Sequence, residues 1–220
     1  MSENLSYLRQ LAREYVAENK ATEWFEVLYS QAQQDPTLLP WAHLQPNPNL
    51  TEWLQSNSIS GSGKTALVIG CGLGDDAEEL CNYGFEVVAF DVAPSAIEWC
   101  QQRFSSSSVD YAIADLLHPP MSWYRSFDFV FESYTLQALP LELRLAAMQS
   151  TADFVAPGGM LLIIARSRNE EEELSGPPWP LTEAEVMEFT RLGLASDRFE
   201  EYWDKETPPV RRFRITFKRP

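Results

Sequence analysis

The sequence predicts an α/β fold with a doubly wound, mostly parallel sheet, on the strength of two observations. Residues 64–91 read as a strand, a glycine-rich turn, a helix and a second strand. Short apolar runs then keep alternating with helical spacing as far as Ala165, which is typical of successive βαβ crossovers. The chain has 220 residues, 45% of them hydrophobic, so we expect one well-buried core.

The first unit opens with an apolar run at residues 66–69, which suits a strand buried on both faces. Glycines follow at alternate positions, Gly70, Gly72 and Gly74. They permit a tight turn and let a ligand approach the backbone closely. This turn is therefore the first candidate for a ligand site.

A crossover helix is predicted at residues 75–83 and a second buried strand at residues 86–90, ending at Asp91. A carboxylate about 20 residues beyond the glycine turn is placed to bind two ribose hydroxyls of a nucleoside. Asp75 stands where a dinucleotide motif has its third glycine. Asp75 and Asp76 would repel a pyrophosphate at this helix N-terminus and would tolerate a cationic ligand.

This stretch resembles the glycine-rich motif of class I S-adenosylmethionine-dependent methyltransferases, with Asp91 matching the acidic residue that ends their second strand. The resemblance covers residues 65–220. It implies a Rossmann-like sheet of seven strands in the order 3-2-1-4-5-7-6, with the last strand antiparallel. It also implies S-adenosyl-L-methionine as the cofactor. The alternatives are an NAD(P)-binding oxidoreductase and a non-catalytic S-adenosylmethionine-binding protein.

Cofactor contacts follow from the same resemblance. In this family an Asp after the third strand, here residues 109–113, takes the adenine amino group, while neighbouring backbone amides meet the ring. A helix or turn cap is the alternative role for that Asp. The expected cofactor-binding residues are Gly70, Cys71, Gly72, Gly74, Asp91, Val92, Asp115, Leu116 and Glu132.

The exit of the fourth strand, residues 127–131, is expected to face the transferred methyl group, because open α/β sheets bind ligands at the carboxyl ends of their strands. Glu132 and Tyr134 follow this strand and are candidate catalytic bases. The same position also suits contact with the cofactor. Both roles stay open at this point.

Residues 1–60 are expected to form an N-terminal helical lid or cap, and residues 61–220 the methyltransferase domain. Residues 5–34 have helical spacing, followed by a proline-rich stretch. Large aromatic side chains both bury area and shape pockets. The tryptophans of this region, Trp24, Trp41 and Trp53, either cover the cofactor cleft or simply pack on the sheet edge.

Two segments narrow the resemblance to the thiopurine and thiol methyltransferase group. They are the N-terminal region with Trp24 and Trp41, and residues 176–181, which read Gly-Pro-Pro-Trp-Pro-Leu. The resemblance implies that Trp24 and Trp41 contact the cofactor or the acceptor. We expect a small-molecule acceptor, a thiol or other soft nucleophile, among Trp24, Trp41, Tyr134 and Trp179.

The later elements complete the predicted sheet. A helix is predicted at residues 140–154, a turn at 156–159 and a fifth strand at 160–165. The apolar face of that helix is expected to comprise Leu141, Leu145, Met148 and Ala152. A capping box at Thr182 opens another helix. Strands at residues 199–203 and 211–218 close the sheet. The basic stripe of the second is expected to pair with carboxylates.

The composition limits which binding partners and which cellular location we expect. A net charge of −15 opposes binding to nucleic acid, and no apolar run approaches the ~20 residues of a membrane span. The N-terminus lacks a signal-peptide pattern, and three scattered cysteines suit a reducing, cytoplasmic location. His43 and His118 offer no zinc spacing, so no metal is expected.

Overall fold

The computed structural model describes residues 3–172, 174 and 176–220. Its strands are β1 (Thr65–Ile69), β2 (Glu86–Asp91), β3 (Asp110–Ile113), β4 (Phe127–Ser133), β5 (Val155–Arg166), β6 (Ala195–Trp203) and β7 (Arg211–Lys218). They form one sheet in the order β3-β2-β1-β4-β5-β7-β6. The pairs from β3 to β5 are parallel, while β7 runs antiparallel to both β5 and β6. The predicted fold, strand order and antiparallel last strand are confirmed.

Seven α-helices accompany the sheet within the described residues. They are α1 (Glu3–Ala17), α2 (Glu23–Ala32), α3 (Pro48–Ser56), α4 (Asp75–Asn82), α5 (Pro94–Arg103), α6 (Leu141–Phe154) and α7 (Glu183–Arg191). The predicted capping box is present, with the Thr182 hydroxyl accepting from the Glu185 N–H at 3.1 Å. None of the described helices is both long and apolar enough to cross a bilayer.

Apolar side chains pack on both faces of the sheet, because successive residues of a strand point to opposite sides. In β1, Leu67 and Ile69 join the core under α6 and α7, whereas Ala66 and Val68 join the core that includes α3 and α4. All four are almost fully buried. The expectation of a strand buried on both faces is met.

The N-terminal region differs from the single helical stretch expected at residues 5–34. The chain turns between α1 and α2, where Asn19 has a left-handed φ of 60° and the Lys20 N–H bonds back to the Tyr15 carbonyl at 2.9 Å. The turn lets α1 fold back on α2. Trp24 of α2 then packs in one cluster with Trp99 of α5, so this region rests on the edge of the sheet layer.

The predicted apolar face of α6 is only half right. Met148 and Ala152 are buried, but Leu141 and Leu145 are exposed. Arg144 takes the inward position instead, at 3% exposure. Its guanidinium donates to the Glu185 carboxylate at 2.9 Å and to the Trp179 carbonyl at 3.0 Å, which compensates for burying the charge.

Strand β5 begins earlier than expected and includes the predicted turn at residues 156–159. Val155 already pairs with Phe127, and Met160 pairs with Phe129, so the residues between form a bulge against β4. The Gly158 N–H bonds the Arg219 carbonyl at 2.9 Å, which ties the bulge to the last residues of the chain. Strand β6 likewise begins before Phe199.

The basic stripe of β7 is paired with carboxylates, as expected. The acidic stretch at residues 169–173 is expected from the sequence to be a solvated loop. Its described part, residues 169–172, is exposed, and Glu173 lies outside the described residues. The ion pairs of the stripe are Arg212 with Asp204 and Glu206, Arg214 with Glu52 and Glu200, and Lys218 with Asp197.

The orientation of α6 is testable by a pair of substitutions one turn apart. Met148→Ala should lower the free energy of unfolding by about 2–5 kcal/mol, because it leaves a cavity in the core. Leu145→Gln should change it by less than about 0.5 kcal/mol, because that side chain is exposed. Urea denaturation followed by far-UV circular dichroism measures both. Equal losses for the two variants would contradict the observed orientation.

Candidate active site

A cavity of about 560 Å³ lies at the carboxyl ends of β1, β2 and β4. The strand ends form its floor, and residues 22–49 of the N-terminal region cover it. Most of the residues singled out from the sequence line it. They are Trp24, Trp41, Gly70, Cys71, Gly72, Asp91, Val92, Asp115, Leu116 and Tyr134.

The glycine turn takes a conformation that other residues rarely adopt. Gly72 has a φ of +54°, and a Cβ there would lie 3.2 Å from the hydroxyl of Tyr29. The carbonyl of the same glycine accepts the Cys100 thiol at 3.1 Å, and the Cys71 N–H bonds the Phe90 carbonyl at 2.8 Å. Gly72 therefore lines the cavity with its backbone alone, and no side chain of its own fills the space between it and Tyr29.

Asp91 connects this turn to the end of β2. One carboxylate oxygen accepts the Gly72 N–H at 3.1 Å, and the other accepts the Ala93 N–H at 3.0 Å. The side chain is 7% exposed. Burial raises the pKa of Asp91 to about 6, although these amide hydrogen bonds oppose the rise. The carboxyl thus titrates close to neutral pH, beside Val92, at the cavity wall.

Asp115 lines the cavity and also acts as a turn acceptor. Its carboxylate accepts the Leu117 N–H at 2.9 Å and contacts the His118 ring nitrogen at 2.8 Å. The side chain stays 34% exposed. The cap role considered for Asp115 is thus present, and the carboxylate still reaches the cavity next to Leu116.

The two acidic residues at the start of α4 differ. Asp75 forms a two-pronged ion pair with Arg103, both contacts at 2.8 Å, so its charge is compensated within the protein. Asp76 accepts the Asn47 N–H at 2.6 Å, and burial raises the pKa of Asp76 to about 7. The expected repulsion of a pyrophosphate by two free carboxylates is therefore weaker than the sequence suggested.

Glu132 does not reach the cavity. It is fully buried, and one of its oxygens accepts the Leu136 N–H at 2.9 Å. This hydrogen bond stabilises the turn after β4. The other oxygen has no hydrogen-bond partner among the described residues. Burial raises the pKa of Glu132 to about 7. Glu132 is not among the residues that line the cavity, so its contact with the cofactor stays a prediction.

Tyr134 does reach the cavity, two residues further along. Its backbone has a left-handed φ of 65°, which turns the chain out of β4. The Arg212 guanidinium lies 5.0 Å from the ring centroid. Burial raises the pKa of Tyr134, and the charge of Arg212 opposes the rise. A phenol with a raised pKa is a poor general base near neutral pH.

The aromatic residues of the N-terminal region form one wall. The Trp41 indole N–H donates to the Tyr29 hydroxyl at 2.9 Å, and the rings of Trp24 and Trp41 meet edge to face at 6.3 Å. The Asn47 side chain donates to the Ser133 hydroxyl at 2.9 Å, joining this wall to the exit of β4. Trp53, by contrast, stacks on Phe129 at 5.6 Å and is core.

Gly74 and Trp179 lie outside the cavity lining. Gly74 is the N-cap of α4 and is buried. The backbone at Trp179 is fixed by two hydrogen bonds, because its N–H bonds the Gln137 carbonyl at 2.6 Å and its carbonyl accepts Arg144. The neighbouring Pro177 and Pro178 reach the lining instead.

Among the lining residues that sequence reasoning missed are Tyr29, Asn47, Arg166 and Arg212. The strand-end rule that singled out Tyr134 also applies to Arg166, the last residue of β5, and would have found it. Arg212 had been assigned to a basic stripe on β7. Within the described residues, no cluster of three or more His, Cys, Asp or Glu is arranged to hold a metal ion.

Comparison with known proteins agrees with this geometry. Residues 66–159 match the family model described as a methyltransferase domain. The 2-heptyl-1-hydroxyquinolin-4(1H)-one methyltransferase of Mycobacteroides abscessus is 26% identical over 154 residues, covering 68% of this chain and 66% of that protein. A probable thiol methyltransferase of Arabidopsis thaliana is 24% identical over 191 residues, covering 86% and 79%.

A solved structure shares the fold. The N-methyltransferase NodS of Bradyrhizobium japonicum, crystallised with S-adenosyl-L-homocysteine, has a TM-score of 0.67 at 20% identity, covering 88% of this chain and 99% of that one. The matched family model, the relatives and the glycine turn at the ends of β1 and β2 agree, and neither an oxidoreductase nor a non-catalytic binder is favoured. The chain belongs to the class I S-adenosylmethionine-dependent methyltransferases.

Proposed function

We propose that this enzyme methylates a small acceptor, a thiol or other soft nucleophile, inside the cavity between the strand ends and the N-terminal region. The observation that carries the proposal is a partly covered cavity of about 560 Å³ above the glycine turn, with Trp24, Trp41 and Tyr29 in its lining. A space of this size suits a small molecule and excludes a folded macromolecule.

The residues at the ends of β1 and β2 fit the cofactor. Gly72 presents bare backbone where a Cβ would narrow the gap to Tyr29, and Asp91 offers a buried carboxylate beside it. We assign the ribose hydroxyls to Asp91 and the adenine edge to Asp115 and Leu116. Gly70, Cys71, Gly72 and Val92 complete this half of the cavity.

S-adenosylmethionine supplies a methyl group already activated by a positive sulfur, so a soft acceptor needs no strong base. The remaining work is to hold two reactants in line and to exclude water, which together contribute about 7–11 kcal/mol in well-oriented reactions. We assign that role to Tyr134 and Trp41 on the acceptor side. The Glu132 carboxylate supports the turn after Tyr134 by accepting the Leu136 N–H, and we propose no proton transfer through it.

The two relatives indicate the kind of acceptor. One is named for a hydroxyquinolinone and the other for a thiol, and both names describe groups that lose a proton readily. We propose an acceptor of that general kind, with residues 1–60 as a cover and residues 61–220 as the catalytic domain. Three free cysteines and a net charge of −15 favour the reducing cytoplasm and disfavour nucleic acid as a substrate.

Product detection with methyl-labelled S-adenosylmethionine tests the proposal directly. The purified enzyme would be incubated with thiols, halides, phenols and amines, and labelled products would be separated chromatographically. We expect at least one thiol or comparably acidic acceptor to be methylated with the highest kcat/KM. A marked preference for amines or neutral alcohols would refute the proposed acceptor class.

Asp91→Asn should weaken binding of S-adenosyl-L-homocysteine by at least about tenfold, because a hydrogen bond to a charged group contributes ~1.5–3 kcal/mol. Calorimetry measures the affinity. The exposed Asp110 on β3 provides the control, Asp110→Asn, which should bind like the wild type. Unchanged affinity in Asp91→Asn would place the ribose elsewhere.

The same carboxyl predicts a dependence on pH. Because the pKa of Asp91 is raised to about 6, its ionised form is present above that pH and is lost below it. Wild-type affinity should therefore fall from about pH 7.5 to about pH 5, and Asp91→Asn should lack that part of the fall. Glu132 and Asp76 titrate in both proteins, so the difference between the two curves isolates Asp91.

Trp41→Ala should raise the acceptor KM by about tenfold or more, because it removes a large aromatic face from the acceptor side. Trp203, on β6 and 66% exposed, supplies the matched control. Trp203→Ala should leave acceptor KM and kcat unaltered. If Trp41→Ala behaves like this control, the N-terminal aromatic residues are only core.

A further inference from the structure

Arg166 is the last residue of β5, and its side chain lines the cavity beyond Tyr134. Its backbone is fixed, because its N–H donates to the Gln137 side chain at 2.7 Å and its carbonyl accepts the Leu181 N–H at 2.9 Å. Its guanidinium forms neither an ion pair nor a hydrogen bond with any residue that the structure describes. An arginine anchored in this way presents its charge to the cavity.

Arg212 provides the contrast, because it sits directly opposite Arg166 in the β5–β7 register. Its guanidinium pairs with Asp204 and Glu206 and lies against the Tyr134 ring. Both carboxylates that attract Arg166 are thus already engaged by Arg212. Arg166 and Arg212 together carry as many charges as Asp204 and Glu206. Both carboxylates, however, form their ion pairs with Arg212.

The Arg166 charge is also poorly accommodated. Burial lowers the pKa of Arg166, and the positive charge of Arg212 lowers it further. Arginine side chains present donors in a fork that matches an anion. An anion bound in the cavity would give the Arg166 guanidinium an ion-pair partner. That anion would lie on the side of the cavity away from Asp91 and the glycine turn.

We infer that Arg166 binds the acceptor in its anionic form, so that the enzyme selects nucleophiles that ionise readily, above all thiolates. This inference rests on the proposed function and names the charge state of its acceptor. It assigns Arg166 as a specificity-determining residue. Carboxylates line the cofactor half of the cavity, whereas the lining near Arg166 also includes Glu206 and Arg212, which pair with each other. Of these three charges, the Arg166 charge is therefore the one that an anionic ligand can pair with.

The chemistry is balanced for such an acceptor. The thiol loses its proton to solvent on binding, and its sulfur lone pair forms the new bond to the methyl carbon. The carbon–sulfur bond of the sulfonium breaks, and its electron pair stays on that sulfur. The thiolate and the sulfonium thus become two neutral thioethers. Arg166 can no longer form an ion pair with the methylated sulfur, so it binds the product more weakly than the acceptor.

Arg166 therefore stabilises the bound acceptor more than the transition state, in which the negative charge has begun to disperse. A group of this kind lowers KM without raising kcat. Removing it should raise the KM of an anionic acceptor and leave kcat unchanged or slightly higher. A residue with a merely structural role would lower kcat and cofactor affinity together.

The test compares an acceptor with its own product in the complex with S-adenosyl-L-homocysteine. The probes are 4-nitrothiophenol, which is ionised at about pH 8, and its neutral S-methyl derivative. Binding of each is measured by calorimetry to the wild type, Arg166→Met and Arg166→Lys. Arg211→Gln is the matched control, because Arg211 pairs with Glu172 and Glu201 outside the cavity.

We expect Arg166→Met to weaken binding of the thiolate by about ten- to a hundredfold, as for loss of a charged hydrogen bond, and to leave the S-methyl product within about threefold. Arg166→Lys should retain most of the affinity for the thiolate. Affinity for S-adenosyl-L-homocysteine should be unchanged in every variant, which also reports that each is folded.

Equal weakening of thiolate and product in Arg166→Met, or no weakening of either, would overturn the inference. So would a loss of S-adenosyl-L-homocysteine affinity with retained thiolate binding, which would assign Arg166 to the cofactor. A wild type that binds S-adenosyl-L-homocysteine but methylates no acceptor refutes the proposed function instead. Labelled-product assays run beside the calorimetry separate the two failures.

Discussion

The hydrogen bonds that Asp91 accepts from Gly72 and Ala93 are the constraint on which the site depends. They fix the end of β2 to the glycine turn after β1, the neighbouring parallel strand. They also keep a carboxylate buried where burial alone would favour its neutral form. A ligand with hydroxyl donors would offset part of that cost.

The cover over this turn is built by a second set of contacts. Tyr29 stands above Gly72 and accepts the Trp41 indole N–H, while Asn47 bridges Asp76 of α4 and Ser133 of β4. These hydrogen bonds tie the N-terminal region to the two sides of the cleft. Carboxylates line the cavity near the glycine turn, and Arg166 lines it at the end of β5.

The sequence was sufficient for the architecture because local signals and topology agreed. Apolar strand runs, the glycine turn and right-handed crossovers leave few arrangements, and the antiparallel β7 followed from the family. Asp91 was predictable because its place depends only on the strand end. The N-terminal aromatic residues were harder to assign, because Trp24, Trp41 and Trp53 look alike in sequence. Only the folded chain shows that Trp24 and Trp41 line the cavity and Trp53 does not, and that Trp24 is also part of the core.

Two of the differences share one physical cause, which is that the partners lie far apart in the chain. Leu141 and Leu145 satisfy a helical pattern, yet Arg144 is buried because Glu185 and the Trp179 carbonyl receive its charge. Glu132 is a different case, because its carboxylate accepts a local hydrogen bond, from Leu136 four residues along the chain, and it lies outside the cavity lining. Arg166 matters because its neighbours are engaged by Arg212, a relationship that no local pattern contains.

A crystal structure of the enzyme with S-adenosyl-L-homocysteine and a thiol-containing acceptor analogue tests the central claim most directly. The account predicts both ribose hydroxyls within about 3 Å of the Asp91 carboxylate, and the thiol sulfur between Tyr134 and Arg166 under Trp41. A nucleoside whose ribose contacts neither oxygen of Asp91, or an acceptor seated outside the N-terminal cover, would contradict it.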